Sequence, residues 1–141
     1  RSVSRGLGDV YKRQAYEQEH PKSQKEEQNL YENLMDYIEE HLDEELTLEK
    51  LAGEFFVSKY YIAHIFKENI GLSIHQYIMK KRLSVSRDAI LTGYKITEVY
   101  LMYGFKDYSS FFRAFKKEYG ISPKEFREMN SVDVNEFTNK I

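Results

Sequence analysis

The chain has 141 residues, 41% of them hydrophobic, enough to fill the core of one domain or two very small ones. It contains no cysteine, which excludes disulfides and thiolate metal sites and fits a reducing, cytoplasmic setting; no apolar run approaches the ~18 residues of a membrane span, and the N-terminus lacks an apolar signal core. The formal net charge is −2, but residues 29–72 hold 3 Lys or Arg against 10 Asp or Glu, a net −7, while residues 73–127 hold 11 against 5, a net +6. Phosphate binding follows local charge and not the total, so this balance leaves nucleic acid open as a partner.

In chain order, residues 1–14 show no helical or alternating apolar period. They resemble a translated adapter or vector run and are set aside, and residues 15–28 read as a polar linker or frayed lead-in, so that 1–28 form a non-native or disordered leader. A first helix is marked by Leu30, Leu34, Ile38 and Leu42, stepping by four. Thr47 is placed to cap a short second helix with Leu48, Leu51, Ala52 and Phe55 inward. Ser58 caps a third, with Tyr61, Ile62, Ile65 and Phe66 inward and Gly71 at its end. Ser73 and Gln76 form an S-x-x-Q capping box that opens a long fourth helix, carrying Ile74, Tyr77, Ile78, Val85 and Ala89 and stopping near Gly93. A fifth helix carries Ile96, Val99 and Tyr103, and Gly104 permits a tight turn after it. Asp107 caps a sixth with Phe111, Ala114 and Phe115 inward, ending at Gly120. Ser122, Pro123 and Glu125 then open a short seventh. Beyond Met129 a tail is expected, on which Val132, Val134 and Phe137 could dock weakly. No segment alternates as a strand, so the fold class is all-α, with about seven helices.

The chain also repeats itself once. Leu48, Leu51, Ala52 and Phe55 match Ile96, Val99, Tyr100 and Tyr103 at an offset of 48; Ile62, Ile65, Phe66, Lys67, Gly71 and Ser73 match Phe111, Ala114, Phe115, Lys116, Gly120 and Ser122 at an offset of 49. Each copy is a short helix, a tight turn and a longer helix, the plan in which the second helix enters a DNA major groove. Two helical hairpins in a bundle would give the same repeat without DNA. The joining helix spans about 20 residues, or roughly 30 Å. Successive major grooves on one face of DNA lie about 34 Å apart, so such a spacer suits two reading heads.

At these residues the chain resembles the AraC/XylS family of bacterial transcription regulators. The second repeat carries Ile96-Thr97-Glu98-Val99, Gly104-Phe105-Lys106-Asp107, Phe111 through Lys117, and Gly120-Ile121-Ser122-Pro123. The first matches in Leu48, Leu51, Ala52, Ser58, Phe66, Lys67, Gly71 and Ser73, and the joining helix in Arg82-Leu83. The resemblance covers about 100 of the 141 residues. It implies two helix-turn-helix subdomains, 29–72 and 93–129, joined by a linker helix, 73–92, with a tail from 130 to 141. It further implies promoter DNA as partner, with the third and sixth helices in consecutive major grooves. Family members usually carry a separate ligand-binding or dimerising domain; no room for one is expected within these 141 residues, so the chain reads as either a fragment or a stand-alone member. Two departures from the pattern stand out. Tyr100 occupies a usually small position where two helices approach closely, so its ring must open the crossing or turn aside. Ala63 and His64 stand where many members place longer polar side chains.

The exposed front of a groove-inserted helix supplies the base contacts: Ser109, Phe112 and Arg113 on the sixth helix, and Tyr60, Ala63 and His64 on the third. Arg113 is shaped for guanine O6 and N7, and Phe112 for a thymine methyl or for the core. Phosphate contacts are expected from Ser58, Lys59, Lys67, Ser73, Tyr108, Lys116, Lys117 and Ser122. Lys80, Lys81, Arg82 and Arg87 lie on the joining helix, where Arg82 is expected to make a buried structural bond. An enzyme is disfavoured: His20, His41, His64 and His75 show no metal-site spacing, no nucleophile motif or phosphate-cradling loop is present, and no cofactor is implied. A second reading is a helical interaction module that contacts RNA polymerase through its acidic first helix (Glu32, Asp36, Glu39, Glu40) and binds DNA without sequence preference.

Overall fold

The computed structural model describes residues 23–139, and side chains up to residue 131. Expectations for residues 1–22, and for the side chains of Val132, Val134 and Phe137, lie outside the described residues. Seven helices and no strand are found among the described residues: α1 Gln24–Glu40, α2 Leu48–Phe55, α3 Lys59–Ile70, α4 Ile74–Leu91, α5 Ile96–Met102, α6 Tyr108–Tyr119 and α7 Pro123–Asn139. The chain divides into two compact units. One runs to Glu40 and resumes over Leu46–Tyr77; the other takes His41–Glu45 and the chain from Ile78 onward.

In the first unit, α1 begins at Gln24, five residues ahead of the expected start at Asn29. The extra turn has no apolar signal. It is held by the Ser23 hydroxyl accepting from the Glu26 N–H at 3.0 Å, and by good helix formers, with Gln28 bonding Glu32 one turn on. Leu34 and Ile38 are buried on this helix as the four-residue step requires. Leu42, the next step, lies beyond the helix end, buried in the turn that belongs to the second unit. Thr47 accepts from the Lys50 N–H at 3.1 Å and Ser58 from the Tyr61 N–H at 3.1 Å, so α2 and α3 start where the caps place them. α3 packs against both α1 and α2. Its Phe66 lies edge-on to Tyr31 with ring centroids 5.7 Å apart, and Tyr37 is edge-on to Phe55 at 5.6 Å. The Ser73–Gln76 capping box closes reciprocally, at 3.0 and 3.2 Å, and opens α4.

The second unit has its core in Leu83, Ala89, Ile90, Val99, Phe105, Phe111 and Phe115. Its rings pack in series, Phe105 to Phe111 at 5.0 Å, Phe111 to Phe115 at 5.7 Å and Phe115 to Phe126 at 5.8 Å. Full burial of each such ring contributes roughly 1.5–3 kcal/mol. Tyr103 does not extend α5 but ends it, as the capping residue after Met102. Asp107 accepts from the Ser110 N–H at 2.7 Å and sets the start of α6. Ser122 accepts from the Glu125 N–H at 3.1 Å and sets the start of α7. α7 runs to Asn139, so it is not the short helix expected and no tail begins at 130.

Arg82 makes the structural bond expected of it. Its Nε donates to the Leu42 carbonyl at 3.1 Å and an Nη to the Glu44 carbonyl at 2.6 Å. Partial burial shifts its guanidinium pKa down from the ordinary value. Gly104 sits beside this contact with φ +86°; a Cβ there would lie 2.6 Å from the Leu42 carbonyl oxygen and 3.0 Å from an Arg82 nitrogen.

Candidate nucleic-acid interface

Each unit presents one long helix whose inner face is buried and whose outer face is polar. On α6, burial of Phe111 and Phe115 turns Ser109, Arg113, Lys116 and Lys117 to solvent. Phe112 is half-buried. Its ring lies between Tyr108, at 6.2 Å, and the Lys116 ammonium, 5.9 Å from its centroid. The ring is therefore partly covered and partly accessible. Asp107 caps the helix just ahead of this face. The Ser110 backbone N–H and hydroxyl hold its carboxyl below the usual range, slight desolvation opposes this, and the charge of Arg113 adds to it. Among the described residues, no ion pair engages Arg113, Lys116 or Lys117.

The corresponding face of α3 is built differently. Tyr60, Ala63 and His64 are all exposed, opposite buried Tyr61, Ile62, Ile65 and Phe66. His64 Nε2, however, lies 3.1 Å from the Glu68 carboxylate, and Lys59 Nζ lies 3.7 Å from Glu49 while also resting over the Tyr60 ring at 5.5 Å. Lys67 donates to the Gly71 carbonyl at 3.3 Å and so caps its own helix end. Two of the three basic side chains expected to meet DNA from this helix, His64 and Lys59 but not Lys67, thus already have carboxylate partners.

The helix-capping serines divide. Ser58 and Ser73 use their oxygens on backbone N–H groups, with Ser73 exposed and Ser58 half-buried. Ser122 is only 6% exposed and its hydroxyl caps α7, so its side chain is occupied within the fold. The Tyr100 ring turns toward α6: it stacks on Phe111 at 6.3 Å and meets Tyr108 edge-on at 5.8 Å. A ring where a small side chain is usual is thus absorbed as a lateral buttress under the start of α6.

Sequence reasoning missed three contributors. Glu68 and Glu49 look like ordinary solvated acids until the fold sets them beside His64 and Lys59; the i,i+4 spacing of His64 and Glu68 was a usable signal. Phe56 was also missed; it caps α2 in the left-handed region and is 93% exposed. Nothing in the described residues resembles a metal-binding cluster of His, Asp or Glu, and no described helix is long and apolar enough to cross a membrane.

Comparison with known proteins agrees with this geometry. Residues 51–129, more than half of the chain, match a helix-turn-helix domain family. The right origin-binding protein of Escherichia coli is 36% identical over 96 residues, covering 67% of this chain and 33% of that protein. The chain therefore spans about a third of that protein's length, and 37% of the length of the probable transcriptional regulator LumQ of Photobacterium leiognathi. Among solved structures, the C-terminal domain of the two-component response regulator yesN from Fusobacterium nucleatum is 33% identical, with a TM-score of 0.66 over 70% of this chain and 98% of that one. The DNA-binding domain of AdpA, solved with a target DNA, shares the fold at 24% identity and a TM-score of 0.69, over 74% of this chain and 94% of that one. With two capped helix-turn-helix units, and this match across more than half its length, the chain belongs to the AraC/XylS-type family of helix-turn-helix DNA-binding regulators.

Proposed function

We propose that this chain recognises a specific promoter sequence in duplex DNA in the bacterial cytoplasm, with α3 and α6 entering successive major grooves and α6 as the principal reader. The proposed organisation is a first helix-turn-helix subdomain at 29–72, a linker helix at 73–92 and a second subdomain at 93–129. The observation that carries the unequal reading is the electrostatic contrast between the two helices. Arg113 stands exposed at the front of α6 and is held by no ion pair among the described residues, whereas His64 on α3 is engaged by Glu68. Arg113 is the side chain best shaped for guanine O6 and N7; Ser109, one turn earlier, bonds a base or a phosphate, and Phe112 meets a thymine methyl with its accessible part.

Tyr60, Ala63 and His64 make the weaker base contacts. Lys59, Lys67, Lys116, Lys117 and Tyr108, with Ser58 and Ser73, line the backbone, which positions the protein without reading sequence. The role is regulatory and not catalytic, and RNA polymerase is a partner for the surfaces that face away from DNA. The test is a selection from random duplexes, followed by Arg113→Ala and His64→Ala on the selected site at fixed salt. Arg113→Ala is expected to lose about 1–3 kcal/mol and to relax the preference at one position, and His64→Ala to lose less. Equal losses, or a larger loss from His64→Ala, overturn the ranking. Sequence-blind binding of the parent chain overturns the whole reading.

A further inference from the structure

Phe56 is held in a conformation and an environment that the fold itself does not require. It ends α2 with φ 54° and ψ 41°, the only non-glycine residue with positive φ among those described, and its backbone N–H bonds the Ala52 carbonyl. A left-handed conformation is disfavoured for any residue with a side chain, least for Asn or Asp, and carries no such strain for Gly. The ring gains nothing in return, being 93% exposed. A lone exposed apolar side chain is ordinary; an aromatic one on a strained backbone is not, and such outliers gather at functional sites.

The internal repeat supplies the comparison. At the offset of 48 that aligns Leu48 with Ile96, Phe56 aligns with Gly104, which is also left-handed, at φ +86°. In the second copy any side chain is barred by the Leu42 carbonyl and the Arg82 guanidinium. In the first copy the position is open, and it carries a large ring that touches almost nothing. Both copies place a left-handed residue here, followed by a backbone bond from the next N–H to the carbonyl five residues back, and the second does so with glycine, so the conformation does not demand the phenyl group.

Its position gives it a partner. Phe56 lies two residues before Ser58, the N-cap of α3, and close in sequence to the exposed Lys59 and Tyr60. We infer that Phe56 is a DNA-backbone contact: its ring packs on the C–H face of a deoxyribose beside the point where the start of α3 meets the groove. The inference rests on the DNA-binding reading above. A deoxyribose is the apolar element of the backbone and is the same under every base, so this contact adds affinity without sequence preference and releases no counterion.

That combination has its own signature, read by titrating the chain and its variants against the selected duplex and a random one across a salt series. Phe56→Asn and Phe56→Gly are expected to melt at the same or a higher temperature than the parent. They are expected to bind about tenfold more weakly, equally on both duplexes and with an unchanged salt slope, the factor that partial burial of a phenyl ring supplies. Phe56→Tyr keeps the ring face and is expected to bind as the parent does. Full affinity in Phe56→Asn overturns the contact, as does a loss confined to one base position or joined to a flatter salt slope. If Phe56→Asn binds DNA as the parent does but fails to regulate a reporter, the ring serves a protein partner and the DNA contact is overturned. Failure of the parent chain itself to prefer its selected duplex would instead remove the DNA-binding reading on which the contact depends.

Discussion

At Gly104 a single missing methyl group decides whether a turn can form. The space a Cβ would need is taken by the Leu42 carbonyl oxygen at 2.6 Å, which cannot move without loosening Arg82. Gly104→Ala is therefore expected to destabilise the second unit by about 2–4 kcal/mol, combining left-handed strain with overlap against backbone. Thermal unfolding followed by circular dichroism measures it, and a drop below about 5 °C would mean that the carbonyl gives way. Lys116 makes a different test. Lys116→Ala is expected to weaken binding to every duplex alike and to flatten the dependence of log affinity on log salt by about one unit. An unchanged slope would place Lys116 away from phosphate. The residues whose roles were legible in the sequence act locally: Thr47, Ser58, Ser73, Asp107 and Ser122 each cap a backbone N–H three residues ahead, a relation that spacing alone encodes. The fold-dependent partners of Arg82, 38 and 40 residues away, could not be read that way. A matching family pattern marked Arg82 as structural without naming what it holds. The burial of Ser122 and the sideways turn of Tyr100 likewise depend on packing that no local pattern carries.

Helix boundaries follow the same division. Where a cap stands next to an apolar period, as at α2, α3 and α6, the start is fixed by both signals. α1 starts early because a polar segment with a serine cap extends a helix that its buried residues already hold, and a polar extension leaves no apolar trace. α7 runs on to Asn139 for want of a glycine or proline after Met129 to stop it. The α6 cap has a pH dependence whose sign can be worked out. The folded-state pKa of Asp107 is depressed, chiefly by hydrogen bonds from Ser110. Its contribution is therefore fully present above the unfolded carboxylate value of about 3.9 and is lost as pH falls through the lower folded value. Asp107→Ala is expected to lower the melting temperature at pH 7, with the gap from the parent closing as the pH drops below about 4. Asp107→Asn keeps the capping oxygen without the charge, so its stability should not show that step. Melting curves from pH 7 to pH 3 separate these behaviours, and a gap that stays constant to pH 3 would contradict the charged-cap account.

For the molecule as a whole, the uneven charge is the property that outlasts any single contact. The stretch with a net −7 carries the helix whose His64 and nearby Lys59 are matched to carboxylates, and the stretch with +6 carries the helix whose cations are not. Binding is expected to fall steeply with salt, by about 0.9 in log affinity per log salt for each phosphate neutralised. Most of that slope should vanish when Arg113, Lys116 and Lys117 are replaced together by Ala, and little of it when Lys59 and Lys67 are. A slope shared evenly between the two sets would show that the carboxylates of α3 do not weaken its hold on phosphate. If both helices enter grooves, hydroxyl-radical footprinting should give two protected patches about 10 bp apart on one face of the duplex; a single short patch would mean that one unit docks alone.

The route of the chain has a consequence for how this protein can be cut. His41–Glu45 belongs to the second compact unit although it lies between two stretches of the first, and the Leu42 and Glu44 carbonyls are what Arg82 holds. No single break in the backbone yields the second unit intact. A fragment beginning near Ser73 would keep the guanidinium and Gly104 but lose both carbonyls, leaving a partly buried cation without its acceptors. To melt separately, the first unit would have to unfold on both sides of a five-residue strip that stays with the second. What the repeat presents as two copies of one motif is therefore not two modules laid end to end, and truncation at one point cannot separate them cleanly.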